Sequence, residues 1–472
     1  MRSRGRIFAG LVLIFLAGTS RAADISWSGL YRVEGVKISD AELDSMQREK
    51  AYLIQHMILR PKIAAADGVT LFGRFDIFNN STYGRDNGMG DALGAGPRRG
   101  GTNPPAAGSD SNVMADRQAT GSIAVSELYA SWVHEYGQLV VGRAPLQFGL
   151  GTTFSSGQGN FDHWYTNRDM VGYKFVVGSL FFMPILAKVD EGDLSDEDDV
   201  NDYMVHVQYD NKDTDLSLGL LFDLRVATQL GNDAPSNSFS GTKTGGFKTQ
   251  LISLYSSQKV SNLTIGVEAD MLKGSVGMTT ATGRGEEIDS YGIAAEVKYN
   301  QEGVKWEWLL KTGVVSGDDP GTDDQYEGYI FNRNYDVAML MFNHPLGNNN
   351  VDFFRTGMVR DQSKNSSYYP DTEALSNALY LAPSFHYKWK DNLSLGGTFV
   401  WASLNKEPVV GGSTNRTLGY ETDLSVTYRP FDRLTWLTEF GFLVPGEAWK
   451  AGARAYENRT AYGIVTKAAI SF

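Results

Sequence analysis

The nearest approach to a catalytic pair in this chain is Asp162 beside His163, in the stretch GNFDHWYTNRD. A carboxylate next to an imidazole can activate water for hydrolysis. Neighbouring side chains of an extended chain point to opposite sides, however. The rest of a hydrolase is also missing: there is no nucleophile elbow, no phosphate-binding glycine loop and no HExxH stretch. Cysteine is absent, which removes thiol catalysis, thiolate-bound metal and disulfides. The sequence points to no enzyme and to no cofactor.

The residues with chemistry to offer are charges, many of them two positions apart. Arg32 and Glu34, Arg60 and Lys62, Arg74 and Asp76, Asp223 and Arg225, Glu268 and Asp270, Glu296 and Lys298, Lys305 and Glu307, and Glu421 and Asp423 are spaced this way, with Glu127, Lys311, Glu439 and Lys467 beside them. Residues i and i+2 share one face of a strand. With Glu135 and Lys388 added, the set holds 10 basic and 12 acidic groups, a near balance of sign. Such a face can line water. It cannot face lipid, where each charge costs about 2–4 kcal/mol at the membrane midplane. Neighbouring opposite charges would pair along or across the wall, and the balance predicts neither strong cation nor strong anion selectivity.

The elements that must carry these charges are strands, because the apolar pattern has period two. In ISWSGLYRVEG, Ile25, Trp27, Tyr31 and Val33 oppose Arg32 and Glu34. In DLSLGLLFDLRV, a row of leucines opposes Asp223 and Arg225, and in LTIGVEADM the row Leu263, Ile265, Val267 opposes Glu268 and Asp270. VTLFGRFDIF, YGIAAEVKY, VKWEWLLKTGV, LSLGGTFVW, LGYETDLSVTY and the final TAYGIVTKAAISF behave alike. Many segments reach ~10 residues, the length of a tilted strand crossing a membrane. Short connections such as EYGQ, NKDT, KVSN and RPFDR alternate with long ones. Trp and Tyr cluster at strand ends, as interfacial girdles do. A secreted β-sandwich could share the alternation, but its interior could not hold so many charges. The expected fold is therefore all-β: a transmembrane antiparallel up-and-down β-barrel of about eighteen strands (range 16–20), with short periplasmic turns and long extracellular loops. The segments around YDVAMLMF (335–342) and VDFFRTGMV (351–359) could be two further strands or an excursion of an outer loop; eighteen assumes the excursion.

The start of the chain, with Arg2, Arg4 and Arg6 before a short apolar run, has the form of a secretory signal peptide over residues 1–22. Residues 23–472 are then one barrel domain. The net charge of −12 offers no basic stripe to nucleic acid. Two acidic runs, VDEGDLSDEDDVND and GDDPGTDDQYE, fall in outer loops; they are expected to be solvated, with a divalent-cation site as the sharper alternative. The Gly- and Pro-rich stretch 79–121 carries Arg98 and Arg99, which could dip inward.

Two pieces resemble known barrels. SELYASW followed by GQLVVGRAPLQFGLG resembles a paired-strand signature of Gram-negative porins. LGYETDLSVTYRPFDRLTWLTEFGFLVPGEAW, with a last strand ending in Phe, resembles the end of alginate-export-type outer-membrane barrels, Glu421 and Asp423 matching its acidic positions. The resemblance implies a Gram-negative outer-membrane location, a polar channel, and Phe472 as the signal read by the barrel-assembly machinery. The expected function is a porin for passive diffusion of small hydrophilic solutes, monomeric or homo-trimeric, seated in lipid and lipopolysaccharide. The alternatives are a dedicated saccharide or polysaccharide channel, or a plugged barrel acting as an adhesin or surface enzyme.

Overall fold

Eighteen strands carry the period-two pattern. They are β1 (Asp24–Ser39), β2 (Lys50–Ala66), β3 (Val69–Ile77), β4 (Ile123–His134), β5 (Gly137–Pro145), β6 (Asn167–Val177), β7 (Leu180–Asp190), β8 (Val200–Asn211), β9 (Leu216–Ala227), β10 (Lys248–Val260), β11 (Leu263–Thr279), β12 (Gly285–Asn300), β13 (Trp306–Val315), β14 (Ala378–Lys390), β15 (Leu393–Leu404), β16 (Thr417–Phe431), β17 (Leu434–Pro445) and β18 (Ala461–Ser471). This computed structural model describes residues 24–41, 43, 49–78, 91–92, 123–190, 200–227, 246–279, 285–319, 321–322, 324–344, 346, 374–407, 415–450 and 459–472. The expected signal peptide, Arg98 and Arg99, the segment 351–359 and most of the first acidic run lie outside the described residues.

Each strand pairs antiparallel with its sequence neighbour, and the last pairs with the first. The closing ladder runs from Leu30 opposite Ser471 to Ser39 opposite Tyr462. Closure leaves no edge, which a spanning sheet in hydrocarbon requires because no water is there to satisfy a free N–H or C=O. Phe472 completes it: Gly29 donates its N–H to the Phe472 carbonyl (2.8 Å), and Phe472 donates back to Gly29 (3.1 Å).

The outward face is apolar and exposed, as the alternation predicts: Tyr462, Ile464 and Ile470 of β18, and Phe440, Phe442 and Val444 of β17, all stand open. Near the short turns, Tyr299 stacks on Trp306 and Trp308, and Trp306 on Phe385, an aromatic girdle at the level where polar and apolar surroundings meet. The turns on that side are tight. At Asp67-Gly68, Gly68 takes φ +74°, and a Cβ there would stand 2.3 Å from the Val133 carbonyl oxygen.

The inner face is not uniform. Towards the rim of long connections it is apolar and buried, with Val36, Ile38, Val315, Val400, Leu404, Leu443 and Val465 in one cluster. Their partners are two chain segments folded into the barrel. One is residues 146–166, between β5 and β6; the other is residues 329–346, part of the connection between β13 and β14. Residues 335–342 form no strand, so the barrel has eighteen. They are an excursion of an outer connection, and they turn inward.

Candidate functional site

The two inward segments divide the lumen. Segment 146–166 crosses from β1, β3 and β4 to β11. On the first wall, Arg32 pairs with Glu34 (3.1 Å), Glu34 holds His163 Nε2 (2.8 Å), and Arg32 Nη1 donates to the Asp162 carbonyl (2.6 Å). Beside them, Arg74 chelates Asp76, whose carboxylate also meets His56 (2.9 Å) and the Ser126 hydroxyl. Arg74 lies 3.8 Å from Glu127, donates to the Gly157 carbonyl (3.4 Å), and sits 4.2 Å from the centre of the Tyr165 ring. Arg32, Glu34, Arg74, Asp76 and Glu127 are all buried by the segment. The Asp–His pair therefore serves the segment's own architecture: His163 faces Glu34, while the Asp162 carboxylate accepts the Gly159 N–H (2.7 Å).

On the far wall the anchor is a carboxylate pair. Glu268 Oε2 accepts the backbone N–H groups of Leu150 (2.5 Å) and Gly151 (3.1 Å), and Asp270 accepts the Thr152 hydroxyl (2.8 Å). The second segment uses the same device on β16. Glu421 accepts the N–H groups of Leu340 (2.5 Å) and Met341 (2.8 Å), and Asp423 that of Met339 (3.0 Å). Consecutive N–H groups converging on one carboxyl group make a concave donor site. The segments also bind each other. Asn332 donates its N–H to the Thr152 carbonyl (2.6 Å), Trp164 donates its N–H to Asn334 Oδ1 (3.0 Å), and the Asn334 amide returns a bond to the Trp164 carbonyl.

The remaining charges singled out from sequence fall into two groups. Asp223 is buried; Arg225 beside it binds Asp202 (2.8 Å), a carboxylate shared with Arg168 (2.9 Å). Arg60 is half-buried, and exposed Lys62 lies 5.8 Å from the Phe72 ring. Others stay accessible in pairs across adjacent strands: Lys311 with Glu296 (3.5 Å), Lys467 with Glu439 (3.4 Å), and Lys298 with Glu307 (3.4 Å). Lys305 is exposed in the turn ahead of β13, where its carbonyl accepts the Lys388 N–H.

Between the second half of the wall and the two segments lies a cavity of about 270 Å³. Its border includes Glu34, Phe161, Lys311, His386, Glu439 and Lys467, drawn from β1, β13, β14, β17, β18 and the first segment. The first segment crosses from β1, β3 and β4 to β11 and the second packs against β16, β17 and β18; the cavity lies between them, bordered by residues of both segments and of β13 to β18.

Above the strands, the second acidic run is knotted rather than splayed. Asp318 accepts the Glu327 N–H (3.0 Å), Glu327 accepts the Asp319 N–H (3.1 Å), and Asp319 pairs with Lys406 (2.7 Å). Burial pushes Asp318 up to about 6, whereas the Lys406 ammonium holds Asp319 below the usual carboxylate range. Among the described residues no group of three or more His, Asp or Glu could hold a metal ion.

Sequence reasoning missed that the charged pairs Glu268–Asp270 and Glu421–Asp423 hold backbone rather than face water. A signal was present in the wall. Inward-facing Gly441 and Gly463 leave room for Met339 and Leu340, whose side chains would stand about 3 Å from a Cβ at either position.

No family model and no curated protein matches the chain. Its architecture is a closed eighteen-strand antiparallel barrel with an apolar outward face. Among solved structures it is similar to OccK9 (OpdG) of Pseudomonas aeruginosa, at 12% identity and TM-score 0.51 over 95% of this chain and 98% of that one. It is also similar to a BenF-like porin of Pseudomonas fluorescens Pf-5, at 11% identity and TM-score 0.52 over the same shares. A third is Pseudomonas aeruginosa OccK2 (OpdF), solved with glucuronate, at 11% identity and TM-score 0.50, again over 95% and 98%. At these identities the likeness is one of fold. It gives the resemblance to alginate-export barrels no support.

Proposed function

We propose that this protein is a porin of a Gram-negative outer membrane, a channel through which small hydrophilic solutes diffuse passively. One observation carries the reading: inside a closed barrel with an apolar outer belt, a cavity is bordered by accessible charges of both signs, Lys311, Glu439 and Lys467 among them. Charges so placed belong against water, and a wall of this strand number is too wide for side chains to fill. On this reading the accessible inner-face charges line the solute's path, and the buried ones, from Arg32 to Asp423, position the segments that narrow it. The reading includes export through the leader at residues 1–22, Phe472 as the strand-end signal to the barrel-assembly machinery, and contact with lipid and lipopolysaccharide. It assigns the chain no reaction and no cofactor. Planar-bilayer recording tests it. Stable, stepwise ion conductance is expected from the purified protein. Reproducible silence would sink the channel and favour a plugged barrel with an adhesive surface.

A further inference from the structure

Two similar arrangements stand on well-separated strands; Lys467, Glu439 and Phe161 of one border the cavity, as does Lys311 of the other. On β13, Lys311 reaches Glu296 of β12 (3.5 Å), and its ammonium lies 4.8 Å from the centre of the Tyr335 ring, which belongs to the second inward segment. On β18, Lys467 reaches Glu439 of β17 (3.4 Å), and its ammonium lies 5.8 Å from the Phe161 ring, which belongs to the first. Five strand-to-strand steps separate the two lysines along the wall, yet both border the same cavity. The four charged side chains are each between 20% and 26% exposed, unlike the buried wall carboxylates Glu34 and Asp423 nearby.

From this arrangement we infer that the cavity is a subsite for small dipolar solutes, molecules carrying one carboxylate and one ammonium group. The inference rests on the channel reading and names the solute class of that same path. The argument is one of partner exchange. A monoanion that binds Lys467 displaces Glu439 and leaves its carboxylate facing the solute's own negative charge. A monocation that binds Glu439 does the same to Lys467. A zwitterion lying antiparallel to the Lys–Glu pair offers a carboxylate to the lysine and an ammonium to the glutamate, so no charge is left without a partner. The Phe161 ring, which borders the cavity beside Lys467, gives the solute's ammonium or apolar part a second surface. Two such lysines on one cavity let a solute's carboxylate leave one as it meets the other, and passage needs weak, repeated sites of this kind.

The test uses four molecules of nearly one size: alanine (zwitterion), lactate (anion), alaninamide (cation) and lactamide (neutral). Uptake into proteoliposomes is measured in matched potassium salt, with the potential clamped at zero by an ionophore. Alanine is expected to enter roughly five-fold faster than the other three, the scale of one exposed ion-pair interaction. The charge-balanced variants Lys467→Gln with Glu439→Gln, and Lys311→Gln with Glu296→Gln, should each reduce the ratio of alanine to lactamide uptake measured in the same vesicles, and together bring it to about one. Fastest entry of lactate or of alaninamide would overturn the inference, and so would an alanine advantage that survives all four substitutions. Ion conductance with no preference among the four solutes would defeat this inference and spare the channel. Absence of both conductance and uptake would defeat the channel itself.

Discussion

The two inward segments are held by one device and surrounded by different chemistry. Each is pinned to the wall by a Glu-x-Asp pair accepting its backbone N–H or hydroxyl groups: Glu268 and Asp270 for residues 146–166, Glu421 and Asp423 for residues 329–346. Segment 146–166 has a second foothold on the opposite wall, through Arg32, Glu34 and Arg74. Segment 329–346 rests instead on apolar contact, with Val337, Met339, Leu340 and Met341 buried against the inner wall. Packing is non-directional and tolerates sliding; a chelated guanidinium does not. The first segment should therefore behave as fixed structure, and the second as the element whose hold on the wall depends most on one carboxylate pair.

The comparison is broken most severely at Arg74. Arg74→Met leaves Asp76 and Glu127 buried without their cation, a loss of about 3–5 kcal/mol for a broken buried pair. The expected result is a marked drop in the urea midpoint of the refolded barrel and poor assembly. A variant as stable as the parent would show that the first segment does not need its ionic foothold. A smaller effect separates the two anchors. Glu421→Ala strips the acceptors from the buried N–H groups of Leu340 and Met341, at about 1–3 kcal/mol for each unsatisfied group. With its main polar anchor to the wall removed, this segment should shift, giving larger and noisier conductance steps. Glu268→Ala removes the matching anchor of the first segment, but Arg32 and Arg74 remain, and the step size should stay near the parent's. Equal changes in the two variants would refute the contrast.

How much of this was legible follows from which constraint acts on each face. Lipid admits no exceptions, so the outward row of Tyr462, Ile464 and Ile470 reads directly as a strand in a closed wall. The inner face obeys two regimes. Towards the short turns it meets water, and Lys311, Glu439 and Lys467 were readable as accessible charges. Towards the rim it meets protein, and Ile38, Leu443 and Val465 are buried there as in any soluble core. Period two cannot distinguish an inner apolar residue under a folded-in segment from one that breaks the pattern. Nor could YDVAMLMF be separated by composition from a nineteenth strand, since its residues are apolar for the same reason strand residues are. Its buried partners on β16, and the glycines opposite Met339 and Leu340, are far apart in sequence, so only the closed barrel brings them together.

The smallest expected effect lies outside the lumen, in the acidic knot, and it extends the contrast to the rim. Asp319 is stabilised as an anion by Lys406, whereas its neighbour Asp318 is raised to about 6 by burial. A folded-state value above the unfolded one means that the group favours the fold when protonated. Its contribution is complete below the ordinary aspartate range near 3.8 and is lost as pH climbs through about 6. Asp318→Asn keeps an acceptor for the Glu327 N–H and removes the charge. It should leave protection of that amide from hydrogen exchange unchanged at acid pH and increase it at pH above 7. The gain should be about 1 kcal/mol, discounted from the full shift because the carboxyl is partly solvated. Asp319→Asn breaks the pair with Lys406 and should act in the opposite sense, weakening the knot only where the carboxylate is ionised. If Asp318→Asn lowered protection above pH 7, the two neighbours would be doing the same work, and burial would not be what sets them apart.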